Sequence, residues 1–251
     1  MSVRVYISGD TTAVAVGAER VAQRFEVEAT RADLSYELVR SGSRGAFGLE
    51  PLLEVDSARG RVGFAAVTPD DIPELIRCIK ESVFEHPKCL GLVAEIPWLS
   101  NQTRVTFKRC GEGAPADLEN YQRLGGYVGL NNALALSRQA IVDEVKASGL
   151  RGRGGAAFPT GIKWQTVLDT ASDQKYIVCN ADEGDSGTFA DRLVMEADPY
   201  QLIEGMIVAG LAVGATQGYI YLRSEYPVAH KLLNIAIDRA IAANFLGENI
   251  Q

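Results

Sequence analysis

Paired cysteines, histidine, excess basic charge and long apolar runs are all scarce in this sequence. Its four cysteines, Cys78, Cys89, Cys110 and Cys179, are scattered and form no C-x-x-C pair. That excludes zinc-ribbon, ferredoxin-type and redox-dithiol spacings, so no metal-ligand set is predicted. The two histidines, His86 and His230, exclude a His-rich metal centre and argue against a Ser-His-Asp triad. Lys and Arg number 25 against 32 Asp and Glu, a net charge of −7. A surface with that balance disfavours nucleic acid as the main partner, because phosphate contacts need basic residues. No apolar run approaches the ~20 residues that span a bilayer. The N-terminus lacks the basic and then apolar pattern of a secretory signal. A cytoplasmic protein without membrane insertion is expected. At 251 residues, 47% hydrophobic and 23% charged, the chain has the composition of one or two globular domains and not of a disordered one.

Glycine is the residue in supply. There are 25, and Gly149, Gly152, Gly154, Gly155 and Gly161 fall within one short stretch. Such a cluster means that the backbone must approach something closely or adopt positive φ.

The spacing predicts an α/β protein. Residues 1–85 read as a small α/β domain. Val3, Val5 and Ile7 alternate as a strand, 13–27 carries helical spacing, and 52–55 and 61–67 form strands joined by a turn at 57–60. A helix follows Pro69-Asp70-Asp71, its apolar face being Ile72, Leu75, Ile76 and Ile79. This β-α-β-β-α order is compatible with a thioredoxin-like layer. Residues 86–120, dense in proline and glycine, read as a packed connector. Residues 121–251 read as a second domain. It has helices at 138–146 and 162–168, a buried apolar strand at 175–179, a polar turn at 180–192 and a long helix from Asp198-Pro199. A strand at 219–222 and a helix from Pro227 complete it. The helix between two strands predicts a parallel pair.

Two stretches carry candidate chemistry. The first is Arg151-Gly152-Arg153-Gly154-Gly155-Ala156-Ala157-Phe158-Pro159-Thr160-Gly161-Ile162-Lys163-Trp164. It follows a helix, whereas a dinucleotide fingerprint must follow a strand, and it lacks the Lys-Ser/Thr of a P-loop. Its free backbone amides and basic side chains suit a flat ring or a phosphate, or else an interdomain turn. The second is Asn180-Ala181-Asp182-Glu183-Gly184-Asp185-Ser186-Gly187-Thr188-Phe189. It emerges from the carboxyl end of a strand, where open α/β sheets bind ligands, and is otherwise an acidic surface turn.

Together these stretches resemble the flavin-binding subunit shared by respiratory complex I, NAD-reducing hydrogenases and NAD-dependent formate dehydrogenases. The resemblance runs from about Phe107 to the C-terminus and is densest over 148–164, 176–192 and 198–214. Asp185-Ser186-Gly187-Thr188, Gln217-Gly218-Tyr219-Ile220-Tyr221 and Arg223-Ser224-Glu225-Tyr226 look most like the formate dehydrogenase beta subunit. The complex I form usually has Glu-Pro in place of Asp185-Ser186. The resemblance implies a thioredoxin-like domain followed by a Rossmann-like parallel-sheet domain for FMN and NAD. Thioredoxin-like relatives hold a 2Fe–2S cluster on four cysteines that are missing here, so none is expected.

The resemblance also implies roles. The backbone of Gly152, Arg153, Gly154 and Gly155 would pack against FMN, and Lys163 would hold flavin or nucleotide by charge. Asn180 and Asp182 would bond the ribityl and phosphate end, and Phe158 would stack on the adenine of NAD. Glu183, in the catalytic position, would sit beside the isoalloxazine where nicotinamide stacks. Asp185 takes the place of a glutamate that contacts the nicotinamide amide. Thr166 replaces a second stacking aromatic, and Ala157 stands where the family usually has glycine. Hydride would pass between nicotinamide and flavin, and electrons singly to or from iron–sulfur clusters.

The implied partners are a molybdenum- or tungsten-bearing alpha subunit and a 2Fe–2S gamma subunit of formate dehydrogenase. The chain resembles the N-terminal half of the family's subunit. The family's 4Fe–4S cluster and second glycine-rich segment are expected only in the remaining half. The alternatives are a diaphorase subunit of a hydrogenase or complex I, and a non-catalytic scaffold or assembly protein.

Overall fold

The alternation of Val3, Val5 and Ile7 becomes β1 (Val3–Ser8), the second strand of a five-stranded sheet. The structure is a computed structural model and describes residues 2–185, 187–248 and 250. Ser186 of the acidic turn, with Asn249 and Gln251, lies outside the described residues. The chain divides into two units, Met1–Asn120 with Arg192–Asp198, and Tyr121–Asp191 with Pro199–Gln251.

In the first unit, the helix expected over 13–27 is two helices. They are α1 (Thr11–Ala15) and α2 (Ala18–Arg31), divided at Gly17, whose φ of 105° no other residue type adopts readily. Next comes β2 (Tyr36–Ser41), which pairs parallel with β1 at the sheet edge. Its pattern does not announce it, because an edge strand with Glu37 exposed on one face and Arg40 on the face of Tyr36 and Leu38 shows no clean apolar alternation. β3 (Leu53–Ser57) and β4 (Gly60–Phe64) form the expected hairpin. α3 (Ile72–Glu81) buries Ile72, Leu75, Ile76 and Ile79, as its spacing predicts. The stretch read as a connector contributes β5 (Cys89–Leu92), antiparallel to β4, and a single turn of helix, α4 (Pro97–Ser100). The strand order is β2-β1-β3-β4-β5. Val5, Ile7, Phe25, Leu53, Val55, Phe64 and Leu75 form the core.

Ionic groups are buried beside this core. Arg44 pairs with Glu54 at 2.6 Å and with Glu112 at 2.6 Å, and Arg61 joins Glu54 at 3.1 Å. The Arg61 guanidinium lies 3.6 Å from the centre of the Tyr6 ring. Glu50 accepts from the Ser43 hydroxyl at 2.7 Å and the Leu52 amide at 2.8 Å. Burial pushes its carboxyl up to about 7. Asp10, which caps α1 through the Ala13 amide, and Glu196, which receives the Thr11 amide and hydroxyl, are raised by burial as well.

α5 (Leu118–Arg123) carries the chain to the second unit, where α6 (Val128–Leu134), α7 (Arg138–Ala147) and α8 (Thr160–Asp169) follow. The first turn of α6 is capped from outside its own sequence: the amides of Tyr127 and Leu130 both donate to the Glu204 carboxylate. β6 (Tyr176–Ala181) is succeeded by α9 (Ala190–Ala197), which the polar composition of 180–192 conceals. α10 (Pro199–Val213), β7 (Gln217–Leu222) and α11 (Pro227–Ala242) complete the chain. β6 and β7 are parallel, Tyr176 opposite Gln217 and Ala181 opposite Leu222, as the strand–helix–strand order predicts.

The expectation of a buried strand at 175–179 is corrected. Val178 is 66% exposed and Tyr221 68%, with Tyr176 and Tyr219 beside them on the same face. Only the alternate residues turn inward. Ile177 packs with Val142, Ala212, Val213, Trp164 and Leu168, and Cys179 is half-buried. On α11, Ile241 shares the apolar spacing of Leu233, Ala236 and Ala240, which are buried, yet is itself exposed. The protein is thus α/β, with a mixed sheet in one unit and a parallel pair in the other.

Candidate functional site

The glycine-rich stretch folds as a closed loop between α7 and α8. Arg151 and Pro159 pair across its base, the Gly152 amide donates to the Phe158 carbonyl at 2.9 Å, and Arg151 Nη1 donates to the Ala157 carbonyl at 3.0 Å. Arg153, Gly154, Gly155, Ala156, Ala157 and Phe158 are all exposed. Among the described residues no acceptor is paired with the amides of Arg153, Gly154, Gly155 and Ala156. A Cβ built on Gly154 or Gly155 would meet nothing within 4 Å, so both present bare backbone to open space. Lys163, one turn into α8, brings its ammonium over the loop: a Cβ on Gly152 would lie 3.3 Å from Nζ. Four unpaired amides on an exposed backbone, beside a cation, are donors of the kind that a ring edge or phosphate accepts from. The residues present therefore fit such a group. Gly152 is the exception among the four glycine-loop positions expected to meet it, because its amide is already used within the loop.

The loop also shows why glycine is expected where alanine stands at position 157. Gly155 has φ of 99° and Ala157 has φ of 50°. The left-handed region suits glycine, and a Cβ there costs about 1–2 kcal/mol. A glycine at 157 would form the same loop without that strain.

The acidic turn begins where β6 ends. The side chains of Asn180, Asp182 and Asp185 are exposed, and the Asn180 carboxamide oxygen accepts from the Asp182 amide at 3.1 Å. Glu183 behaves differently. It is buried, and its carboxylate accepts from the Asp191 amide at 2.9 Å and from the Tyr226 hydroxyl at 3.1 Å. Its carbonyl accepts from Arg223, which pairs with Glu225 at 3.2 Å. Arg223 and Tyr226 carry no role in the sequence pattern. The signal that could have found them is their placement just after β7, in line with the turn after β6.

Helix packing relates the two bends. The start of α7, the end of α10 and the starts of both strands lie together: a Cβ on Gly214 would come 2.8 Å from Arg138 Nη1, and the Thr216 amide donates to the Lys175 carbonyl. α7 and α8 run side by side in opposite directions, with Gln139 bonded to Gln165 at 2.8 Å and Gly161 against Lys146. At ~1.5 Å per residue, α7 carries the glycine-rich loop a helix length away from the end at which the strands start. The acidic turn leaves from the far end of β6.

Both bends lie within one recognisable sequence segment. Residues 145–250 match the Nuo51 FMN-binding domain. The wider chain is 52% identical over 149 residues to HndC of the NADP-reducing hydrogenase of Solidesulfovibrio fructosivorans, covering 59% of this chain and 30% of that protein. It is 41% identical over 155 residues to the mitochondrial 51 kDa protein of the NADH-ubiquinone oxidoreductase of Neurospora crassa, covering 60% of this chain and 31% of that protein. A solved NAD+-reducing NiFe-hydrogenase in its H2-reduced state superposes with a TM-score of 0.46 at 25% identity, over 96% of this chain and 40% of that chain. The chain spans about a third of the length of the curated relatives it matches. Within the Nuo51-type segment fall every residue of the glycine-rich loop, the acidic turn and the Arg223–Tyr226 connection. No helix among the described residues is long and apolar enough to cross a membrane.

Proposed function

We propose that this chain is the FMN- and NAD(H)-handling part of a multisubunit oxidoreductase. The observation that carries the proposal is the exposed run of unpaired amides from Arg153 to Ala156 beside Lys163, inside a segment that matches an FMN-binding domain. Bound FMN would supply exchange of a hydride with nicotinamide and of single electrons with iron–sulfur partners. The chain's own residues bind and orient. Arg153, Gly154 and Gly155 offer amides on exposed backbone, and Gly152 shapes the loop base. Lys163 offers positive charge to flavin or nucleotide. Asn180 and Asp182 offer acceptors for hydroxyls, and Asp185 an acceptor for an amide. Phe158, 50% exposed, offers a stacking face for adenine. Glu183 sets the shape of the acidic bend.

At a finer level, Asp185 in place of glutamate and the Arg223-Ser224-Glu225-Tyr226 stretch support a formate dehydrogenase beta subunit, with a thioredoxin-like first unit and with alpha and gamma subunits as partners. The 52% identity to a hydrogenase component favours a second reading, a diaphorase subunit of an NAD(P)-reducing hydrogenase. Co-purification with a molybdenum or tungsten subunit, against a nickel one, separates the two.

Gly154→Ala tests the shared core of both readings. The position has open space and no positive φ, so the added methyl leaves the fold unchanged. The wild-type chain is expected to take up FMN and to have its flavin absorbance bleached by NADH. Gly154→Ala is expected to keep its Tm and lose FMN. A colourless wild-type chain that still binds partner subunits would give the scaffold reading instead, and equal FMN uptake by wild type and variant would remove the loop from the site.

A further inference from the structure

One carboxylate of the acidic bend faces inward. Glu183 is 7% exposed, whereas Asp182 and Asp185 on the same bend, and Asn180 near the end of β6, are exposed. Three elements converge on it. The Asp191 amide, in the first turn of α9, donates to one carboxylate oxygen at 2.9 Å. The hydroxyl of Tyr226, which directly precedes α11 and is itself 5% exposed, donates to the other at 3.1 Å. Arg223, directly after β7, donates to the Glu183 carbonyl and lies 5.1 Å from the centre of the Tyr226 ring. Hydrogen bonds to an ionised acceptor are about twice as strong as neutral ones. This residue therefore anchors a bend that Gly184 and Gly187 would otherwise leave with much conformational freedom.

We infer that Glu183 is a positioning residue: through Tyr226 and the Asp191 amide it fixes the bend that presents Asp182 and Asp185, just beyond Asn180 of β6. What the bend is held ready for rests on the FMN reading above; the clamp itself does not. The expectation of a carboxylate beside the isoalloxazine assigns Glu183 direct contact. With both oxygens engaged inside the unit, the exposed members of the bend are the ones left to meet a ligand.

The test compares Glu183→Ala, Glu183→Gln and Tyr226→Phe in the full chain, reading hydrogen exchange at the Asp191 amide and FMN affinity by titration. Glutamine can accept from Asp191 and donate to the Tyr226 oxygen, so it keeps the clamp without the charge. Loss of a charge-assisted bond in Glu183→Ala is expected to speed Asp191 exchange about tenfold or more and to weaken FMN by a comparable factor. Glu183→Gln is expected to restore both to near wild type. Tyr226→Phe, which deletes one hydroxyl, is expected to shift both in the same direction as Glu183→Ala but less. Two results overturn the inference. One is unchanged Asp191 exchange in Glu183→Ala. The other is a Glu183→Gln chain that loses FMN as fully as Glu183→Ala while its Asp191 amide stays protected, because the charge would then be touching the ligand. If the wild-type chain takes up no FMN, the flavin reading falls and the exchange measurement alone decides the clamp.

Discussion

Gly161 rests directly on Lys146: a Cβ added to Gly161 would lie 2.7 Å from the Lys146 backbone nitrogen and 2.9 Å from its Cα. The contact seats the first turn of α8 against the last turn of α7, and the glycine-rich loop spans the gap between them. Gly161→Ala forces backbone apart and is expected to destabilise the second unit by about 1–3 kcal/mol, read as a lower urea midpoint. Because the loop hangs from both helices, FMN affinity is expected to fall in the same variant.

Ala157→Gly tests the strain in the loop. Relief of the left-handed alanine is partly offset by the greater freedom of glycine in the unfolded chain, leaving a net gain of up to about 1 kcal/mol. Thermal unfolding checks the sign. A loss of stability would mean that the Ala157 methyl contributes more by contact than its φ of 50° costs.

Glu50 makes the first unit sensitive to pH. Its carboxyl is pushed from 4.5 up to about 7 by burial. Between those values the unfolded chain has released a proton that the folded unit retains, so stability falls as pH rises through this window and levels off above it. The span corresponds to about 3 kcal/mol. Glu50→Gln preserves bonding to Leu52 and Ser43 and removes the ionisation. The variant is expected to melt higher than wild type at about pH 8 and level with it at about pH 4.5. Asp10 and Glu196, raised by burial too, contribute slopes of the same sign that this substitution leaves in place.

Glu54 sits between two arginines, with Arg44 at 2.6 Å and Arg61 at 3.1 Å. Glu54→Ala leaves the buried Arg44 with one carboxylate, that of the partly exposed Glu112, and the Gly111 carbonyl. Removing one member of a buried pair costs about 3–5 kcal/mol. Chemical denaturation is expected to show that loss in the first unit, and a change below about 1 kcal/mol would show that the network is hydrated.

Phe158→Ala separates binding from folding. Its ring is half exposed and only its backbone bonds at the loop base, so the Tm is expected to hold within a degree or two. NADH binding, followed by nicotinamide fluorescence, is expected to weaken about tenfold if the ring stacks on adenine. Unchanged binding would place the adenine elsewhere.

Local pattern alone determined much of this protein. The apolar face of α3, the β3–β4 hairpin, and the Ser137 cap and Gly149 that bound α7 all follow from residues close in sequence, and the parallel pairing of β6 with β7 follows from the order of elements. The glycine-rich and acidic stretches were legible for the same reason: backbone exposure and clustered acceptors are written in consecutive residues. Other features depended on partners far along the chain. β2 is a strand because β1 lies beside it, α6 is capped by a glutamate 74 residues away at Leu130, and Glu183 turns inward because Tyr226 and Asp191 receive it. Burial and hydrogen bonding are properties of the space around a side chain. A sequence states which groups can bond, and only the folded chain decides which of them meet.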